Sequence, residues 1–237
     1  MHIPLSPRLR LCCGFVCPGD RVADVGTDHG YLGIWLLQQG IASHVIASDI
    51  GKGPLSAAVA NAQKFGCSDK MTFCLSDGVE NIPRDFDTLV CAGMGAETMI
   101  SILSKGTWLQ NSRYRLILQC QTKTHLLRRY LSETGWRITE ESAIRDGRFI
   151  YTAMEVVWQP DYHLTPGEWF FPPALLENPA VCLPEYFQRT VNTLRKIVTG
   201  RGEHAEPELV TALRQLDELA NVPTLDFLTE VKYDDCE

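Results

Sequence analysis

The chain has 237 residues, of which 45% are hydrophobic, enough for one large domain with a small appendage. No apolar run is long enough to cross a bilayer, and no basic region followed by an apolar stretch opens the chain, so a membrane or secreted protein is not expected and a cytoplasmic one is. Nine scattered cysteines, odd in number and without a Cys-x-x-Cys pair, read as buried thiols in a reducing compartment; Cys12, Cys13 and Cys17 lack zinc-ligand spacing and a nearby His, so no metal is expected.

Strand and helix signals alternate along the first two thirds. Ser6-Pro7 predicts an N-terminal helix, with Ser as cap and Pro in the first turn. Strands are predicted near 21–25, 44–49, 71–75, 86–92 and 114–120, with helices at 31–39, 54–65, 96–104 and 123–134 between them. Such alternation implies a parallel sheet covered on both faces. Segments 137–143 and 149–158 then flank Asp146-Gly147, a strong hairpin turn. Residues 160–183, rich in Pro and aromatics, read as a packed connector. Phe187, Val191, Leu194 and Val198 share one helical spacing, and Leu209, Leu213, Leu216 and Ala220 repeat it after Gly200-Arg201-Gly202. That pattern predicts a two-helix hairpin with a coiled-coil seam, too short to stand without leaning on the main domain. The expected division is therefore 1–160, 161–221 and an acidic, weakly patterned tail at 222–237, loose or disordered.

The most informative stretch is Asp24-Val-Gly26-Thr27-Asp28-His29-Gly30-Tyr-Leu32. It reads as a buried strand that breaks into a glycine turn and starts a helix, which places backbone N–H groups at the carboxyl edge of a sheet. A dinucleotide fingerprint would need glycine at 28 and 31, where Asp and Tyr stand, and a P-loop lysine is absent. An acidic glycine turn suits instead a nucleoside with a cationic arm, such as S-adenosylmethionine. The acids that follow agree. Asp49, with Ile50 beside it, ends the second strand and can accept from both ribose hydroxyls; Asp77 ends the third and can accept from an adenine amino group, with Gly78 letting backbone approach the ring. His29 is better placed for a helix-start hydrogen bond than for base chemistry.

Acceptor-side residues are expected after the fourth strand, at Ala92-Gly93-Met94-Gly95, with Ala92, Gly93 and Met94 also expected to bind the cofactor. No Asn/Asp-Pro-Pro-aromatic motif is present, which disfavours methylation of an exocyclic amine. Cys91 lies at a strand end behind the glycines and reads as a packed thiol, not a nucleophile. Gly93 and Gly95 around Met94 leave room for a planar base.

These motifs, with Leu5-Ser-Pro-Arg8-Leu9, Lys52-Gly-Pro-Leu55, Ser76-Asp-Gly78, Leu116-Ile-Leu-Gln119, Leu126-Leu-Arg128-Arg129 and Leu164-Thr-Pro-Gly-Glu-Trp169, resemble the bacterial tRNA (adenine-22-N1)-methyltransferase family over roughly residues 5–220. The resemblance implies an α/β, Rossmann-like class I methyltransferase sheet, a C-terminal α-helical coiled-coil hairpin, S-adenosyl-L-methionine as cofactor and 1-methyladenosine formation in the tRNA D-arm. Two departures fall on the acceptor side: Ala96 replaces a glycine, and Gln119-Cys120-Gln121 stands where the family has Gln-Pro-Asn. The residues leave two other readings open, namely another methyl acceptor or a SAM-binding module without turnover.

Adenine N1 carries a lone pair and no proton, so positioning can carry much of the catalysis. Asp28 is the candidate to balance the charge that develops on the ring, with Met94 and Gly95 at the base. Net charge is −7, yet the excess of acid lies after residue 202, and residues 105–148 hold nine Lys/Arg against four acids. An RNA partner is therefore expected over Arg128, Arg129 and the first hairpin helix, including Arg195 and Lys196, with Arg8 as a phosphate or base contact.

Overall fold

The computed structural model describes residues 3–177 and 179–229. In chain order the elements are α1 (Pro7–Gly14), β1 (Arg21–Val25), α2 (Tyr31–Gln38), β2 (His44–Asp49), α3 (Lys52–Lys64), β3 (Met71–Leu75), β4 (Thr88–Gly95), α4 (Ala96–Lys105), β5 (Arg115–Thr122), α5 (Thr124–Glu133), β6 (Trp136–Asp146), β7 (Phe149–Trp158), α6 (Pro166–Phe170), α7 (Ala174–Glu177), α8 (Leu183–Arg201) and α9 (Pro207–Ala220). One seven-stranded sheet runs in the order β3-β2-β1-β4-β5-β7-β6. Strands β1 to β5 are parallel, and β7 is antiparallel to both β5 and β6. The strand order reverses at β1, so the crevice between the β1 and β4 ends is where a ligand is expected to sit.

Alternation along the central strands assigns each side chain to a face. Leu89, Cys91, Leu116 and Leu118 pack with Met99, Leu127 and Leu131 under α4 and α5. Val22, Val45, Val90 and Ile117 pack on the other face with Cys12, Ile34 and Leu36 of α1 and α2. Gly33 lets α2 lie close on the sheet, since a Cβ there would stand 2.7 Å from Val45.

A third core lies in the C-terminal part, where Phe170, Phe171, Leu175, Leu183, Phe187, Val191, Leu194 and Leu216 are buried together with Ala143 of β6. The expected seam is only partly realised. In α9 the deepest residues are Ala212 and Leu216, while Leu209, Leu213 and Ala220 are half-buried. The cause is α6, which docks on α9: Gly167 donates its N–H to Gln215 Oε1 at 2.7 Å, and a Cβ at Gly167 would meet Gln215 Cβ at 2.7 Å. Helix α8 also runs through Gly200, past the expected break. The start of the acidic tail is ordered, contrary to expectation. Residues 223–228 form a 3-10 turn whose Leu228 is buried, and residues 230–237 lie outside the described residues. Pro7 opens α1 as expected, but Ser6 does not cap it through its side chain, and its hydroxyl is buried without a partner.

Candidate nucleoside site and acceptor loop

The glycine turn after β1 is held from beneath and from both sides. Gly26 and Thr27 donate their N–H groups to the Ser48 carbonyl at 2.8 and 2.9 Å, tying the turn to β2. Gly26, Asp28 and Gly30 all take positive φ, at 75°, 51° and 72°. Asp tolerates this region better than most residues, and strain of this kind concentrates at ligand sites. A Cβ on Gly26 would stand 2.1 Å from the Met94 methyl, so the Gly93–Gly95 end of β4 lies directly across the turn. Asn61 of α3 donates to the His29 carbonyl at 2.9 Å.

Asp24 lies under this turn, buried, and accepts from the Thr27 hydroxyl at 2.6 Å. Burial pushes its carboxyl up to about 6, against the Thr27 hydrogen bond, and the nearby Asp49 charge adds to the rise. Asp24 and Thr27 therefore support the turn from inside. Asp49 is half-buried at the crevice rim; its two oxygens accept from the Asp28 N–H at 3.2 Å and the Gly51 N–H at 2.8 Å. Each carboxylate oxygen has further acceptor capacity for hydroxyls. Ile50 beside it is 71% exposed, an apolar surface next to a polar acceptor. This donor and acceptor set suits an adenosyl group: a carboxylate for the ribose, an uncovered aliphatic face for the ring, and an acidic turn for a cationic tail.

Asp77 is less free than expected, because Lys105 pairs with it at 2.6 Å and with Glu80 at 3.0 Å. Gly78, at φ 56°, packs against Ile102 of α4. Among the described residues, the His29 side chain makes no helix-start hydrogen bond. Its ring stands 3.6 Å from the Asp28 carboxylate and 5.7 Å from the Tyr31 ring, while Gly30 begins α2 without a side-chain cap.

On the acceptor side, the end of β4 departs from regular pairing around Met94, and Gly93 takes φ 82°. The buried Gln119 side chain accepts from the Gly93 N–H and from Arg8 NH1, both at 3.1 Å, and its own amide donates to the Cys120 carbonyl at 3.1 Å. Sequence reasoning missed Gln119 as a site residue; only its place in a family motif marked it. Arg8 also lies 3.7 Å from Asp146. Cys91 donates to the Met94 sulfur at 3.7 Å, and burial pushes its thiol up to about 12, which suits packing and not nucleophilic attack. Ala92 is half-buried at the start of this loop.

Residues 5–154 match the family model described as a methyltransferase domain. The chain belongs to that methyltransferase family. It is 29% identical over 202 residues to a Mycoplasma genitalium protein provisionally named a tRNA methyltransferase, an alignment covering 76% of this chain and 89% of the relative. It is 28% identical over 154 residues to the tRNA (adenine(22)-N(1))-methyltransferase of Bacillus subtilis, covering 65% of each chain. A Streptococcus pneumoniae structure, solved with S-adenosyl-L-methionine and provisionally named a tRNA (m1A22) methyltransferase, superimposes with a TM-score of 0.78 at 27% identity. It covers 91% of this methyltransferase and 99% of that chain.

The expected RNA-facing residues fare unevenly. Arg128 is 1% exposed and cannot reach RNA. It donates to both Glu141 oxygens, to the Trp169 and Phe170 carbonyls, to Thr152 and to the Tyr186 hydroxyl. It thereby joins α5, β6, β7, the connector and α8 of the methyltransferase. Arg129 is at the surface but pairs with Glu133 and Glu208 and lies over the Trp169 ring. Arg195 pairs with Asp217 of α9, and Lys196 lies beside it on the outer face of α8. The basic stretch is not one surface: Lys105, Arg115, Lys123 and Arg129 meet acids from outside it, and Arg128 pairs with Glu141 within it. A run of sequence charge spread over strands and helices points in several directions, which the local balance could not reveal.

Proposed function

We propose that the protein transfers a methyl group from S-adenosyl-L-methionine to N1 of adenine 22 in the D-arm of tRNA, in the cytoplasm. The observation that carries this reading is a strand-end acid beside an acidic glycine turn, with the irregular, half-buried Gly93-Met94-Gly95 end of β4 set against that turn, in a sequence with no amino-methylation motif. The names borne by the relatives favour the same substrate.

S-adenosyl-L-methionine supplies an electrophilic methyl on a sulfonium. Asp49 would hold the ribose, Ile50 and Gly78 the adenine, and the turn from Gly26 to Gly30 the methionine end, with Asp24 and Thr27 fixing that turn. Asp77 would meet the adenine amino group through the oxygen not taken by Lys105. Adenine N1 has no proton to lose, so no side chain needs to act as base. The methylated ring becomes cationic, and the Asp28 carboxylate at the open face of the turn is the group assigned to balance it. Gln119 holds the Gly93 backbone and Arg8 in fixed relation, so the base meets a rigid edge. N1 lies on the Watson–Crick edge, so the target must leave its pair before it can react.

The test is methyl transfer to total tRNA with labelled S-adenosyl-L-methionine, followed by nuclease digestion and mass spectrometry. The expected product is 1-methyladenosine. Detection of N6-methyladenosine alone before any alkaline treatment would overturn the acceptor assignment, and no transfer to any RNA would overturn the activity.

A further inference from the structure

The carboxyl edge of the sheet carries a surface that neither the nucleoside site nor the acceptor loop uses. β7 is antiparallel to β5 and β6 alike, so β6 runs with the parallel strands and ends at the same edge as Gly93. The turn after Asp146 therefore stands on the rim of the site. Arg8 links the two directly, since it bonds Gln119 at 3.1 Å and lies 3.7 Å from Asp146. At the tip, Phe149 is 48% exposed and the Arg148 guanidinium lies 4.9 Å from its ring centroid. Among the described residues no acid pairs with Arg148. Arg189 of α8, itself paired with Glu185, donates to the Arg148 carbonyl at 3.1 Å and steadies the tip from the C-terminal side.

An exposed ring on a strand end is ordinary. A ring with an unpaired guanidinium over it, tied to an acceptor loop on one side and a helix on the other, has a more specific chemistry. An aromatic face stacks a nucleobase of any identity, and a neighbouring cation takes its phosphate. A protein partner would want a broader apolar patch, and no other large apolar side chain on β6 or β7 is exposed among the described residues. We propose that the β6–β7 tip is a docking platform for an unpaired nucleotide of the RNA substrate, with Phe149 stacking the base and Arg148 meeting the phosphate. This rests on the proposed RNA methylation and adds to it where the strand next to the target is held.

Steady-state methylation of unmodified tRNA by the full chain tests the platform, with SAM affinity measured separately by calorimetry. Stacking of one base corresponds to about 1–3 kcal/mol, so Phe149→Ala should raise the tRNA KM by roughly 5- to 150-fold. kcat at saturation and SAM affinity should stay near the parent values, and Phe149→Trp should restore KM. Arg148→Ala should lower the slope of log binding against log salt by about 0.7, the loss of one single-strand phosphate contact. If the parent methylates tRNA and both alanine variants keep its KM and salt slope, the platform is refuted while the activity stands. A parallel loss of SAM affinity in Phe149→Ala, not restored by Trp, would show a folding role and also overturn it. Failure of the parent to methylate tRNA would fall on the activity itself.

Discussion

The two sides of the crevice are assembled in opposite ways. On the nucleoside side, each chemical group ends its own strand: the turn after β1, Asp49 at the end of β2 and Asp77 just after β3. Their relative positions follow from strand pairing alone, as the Val45↔Met71 and Val22↔Val45 registers show. On the acceptor side, the edge depends on Gln119 reaching both Gly93 and Arg8, the latter 111 residues away in sequence. One side is local geometry repeated three times; the other is a long-range polar network. Loss of a nucleoside-side residue should therefore weaken one ligand contact, whereas loss of a network residue should disturb several elements together.

The largest effect that would sharpen this contrast belongs to Arg128, the most connected polar residue of the C-terminal junction. Arg128→Met leaves the buried Glu141 charge without its partner, and breaking a buried pair in this way costs about 3–5 kcal/mol. Urea unfolding should show that loss, and Arg128→Met combined with Glu141→Leu should recover most of it. A small loss of stability joined to a large loss of tRNA affinity would instead return Arg128 to the RNA surface.

Next comes the acid beneath the glycine turn. Burial raises the Asp24 carboxyl to about 6 from an ordinary value of 3.8. A raised carboxyl favours the folded state while both states hold the proton, below pH 3.8. That advantage is lost as pH rises to about 6, by on the order of 2–3 kcal/mol. Asp24→Asn keeps an acceptor for Thr27 and cannot ionise, so thermal melts should lose this part of the pH dependence between pH 4 and 6.5. Identical pH profiles for parent and variant would show that Asp24 is ionised in the fold at low cost. Asp49→Ala should lower SAM affinity by roughly 10- to 100-fold in calorimetry, through lost hydrogen bonds to a charged acceptor, with the melting temperature little changed. Unchanged affinity would remove Asp49 from the nucleoside site.

How much could be read from the chain follows the same division. Strands at 21–25, 44–49 and 71–75 match their predicted bounds because parallel strands, the buried β1 and β2 and the edge strand β3 alike, read here as short apolar runs closed by an acid or a turn. The place of Asp49 at the end of β2 follows from the same pattern. Arg128 was misplaced because helical spacing gives the face of a side chain but not what later folds over that face. Glu141, Trp169 and Tyr186 do so, from three other elements. Gln119 was missed because its value lies in what it bonds. An amide after the apolar run Leu116-Ile117-Leu118 carries no local sign of a glycine N–H in the neighbouring strand or an arginine in α1. The partial coiled-coil seam failed likewise, since heptad spacing in α9 is silent about Gly167 of α6 taking part of that face.

Gln119 offers the finest test of the comparison. Gln119→Leu keeps the bulk of the side chain but removes the acceptor shared by Gly93 and Arg8, leaving a backbone N–H unpaired. If the acceptor edge depends on this network, kcat for tRNA should fall by about tenfold, equivalent to about 1.4 kcal/mol in the barrier. SAM affinity should move less than about threefold, because among the described residues neither the Asp24–Gly30 turn nor Asp49 nor Asp77 bonds Gln119. Gln119→Glu preserves the acceptor and strengthens it toward Arg8, so it should restore most of kcat. A simple packing role predicts the reverse order, since Leu fits an apolar strand better than a buried carboxylate does. Equal losses of kcat and SAM affinity in the leucine variant would show that the two sides of the crevice are not independent. A kcat unchanged in both variants would mean that the base is positioned elsewhere, by Met94 and Gly95 alone.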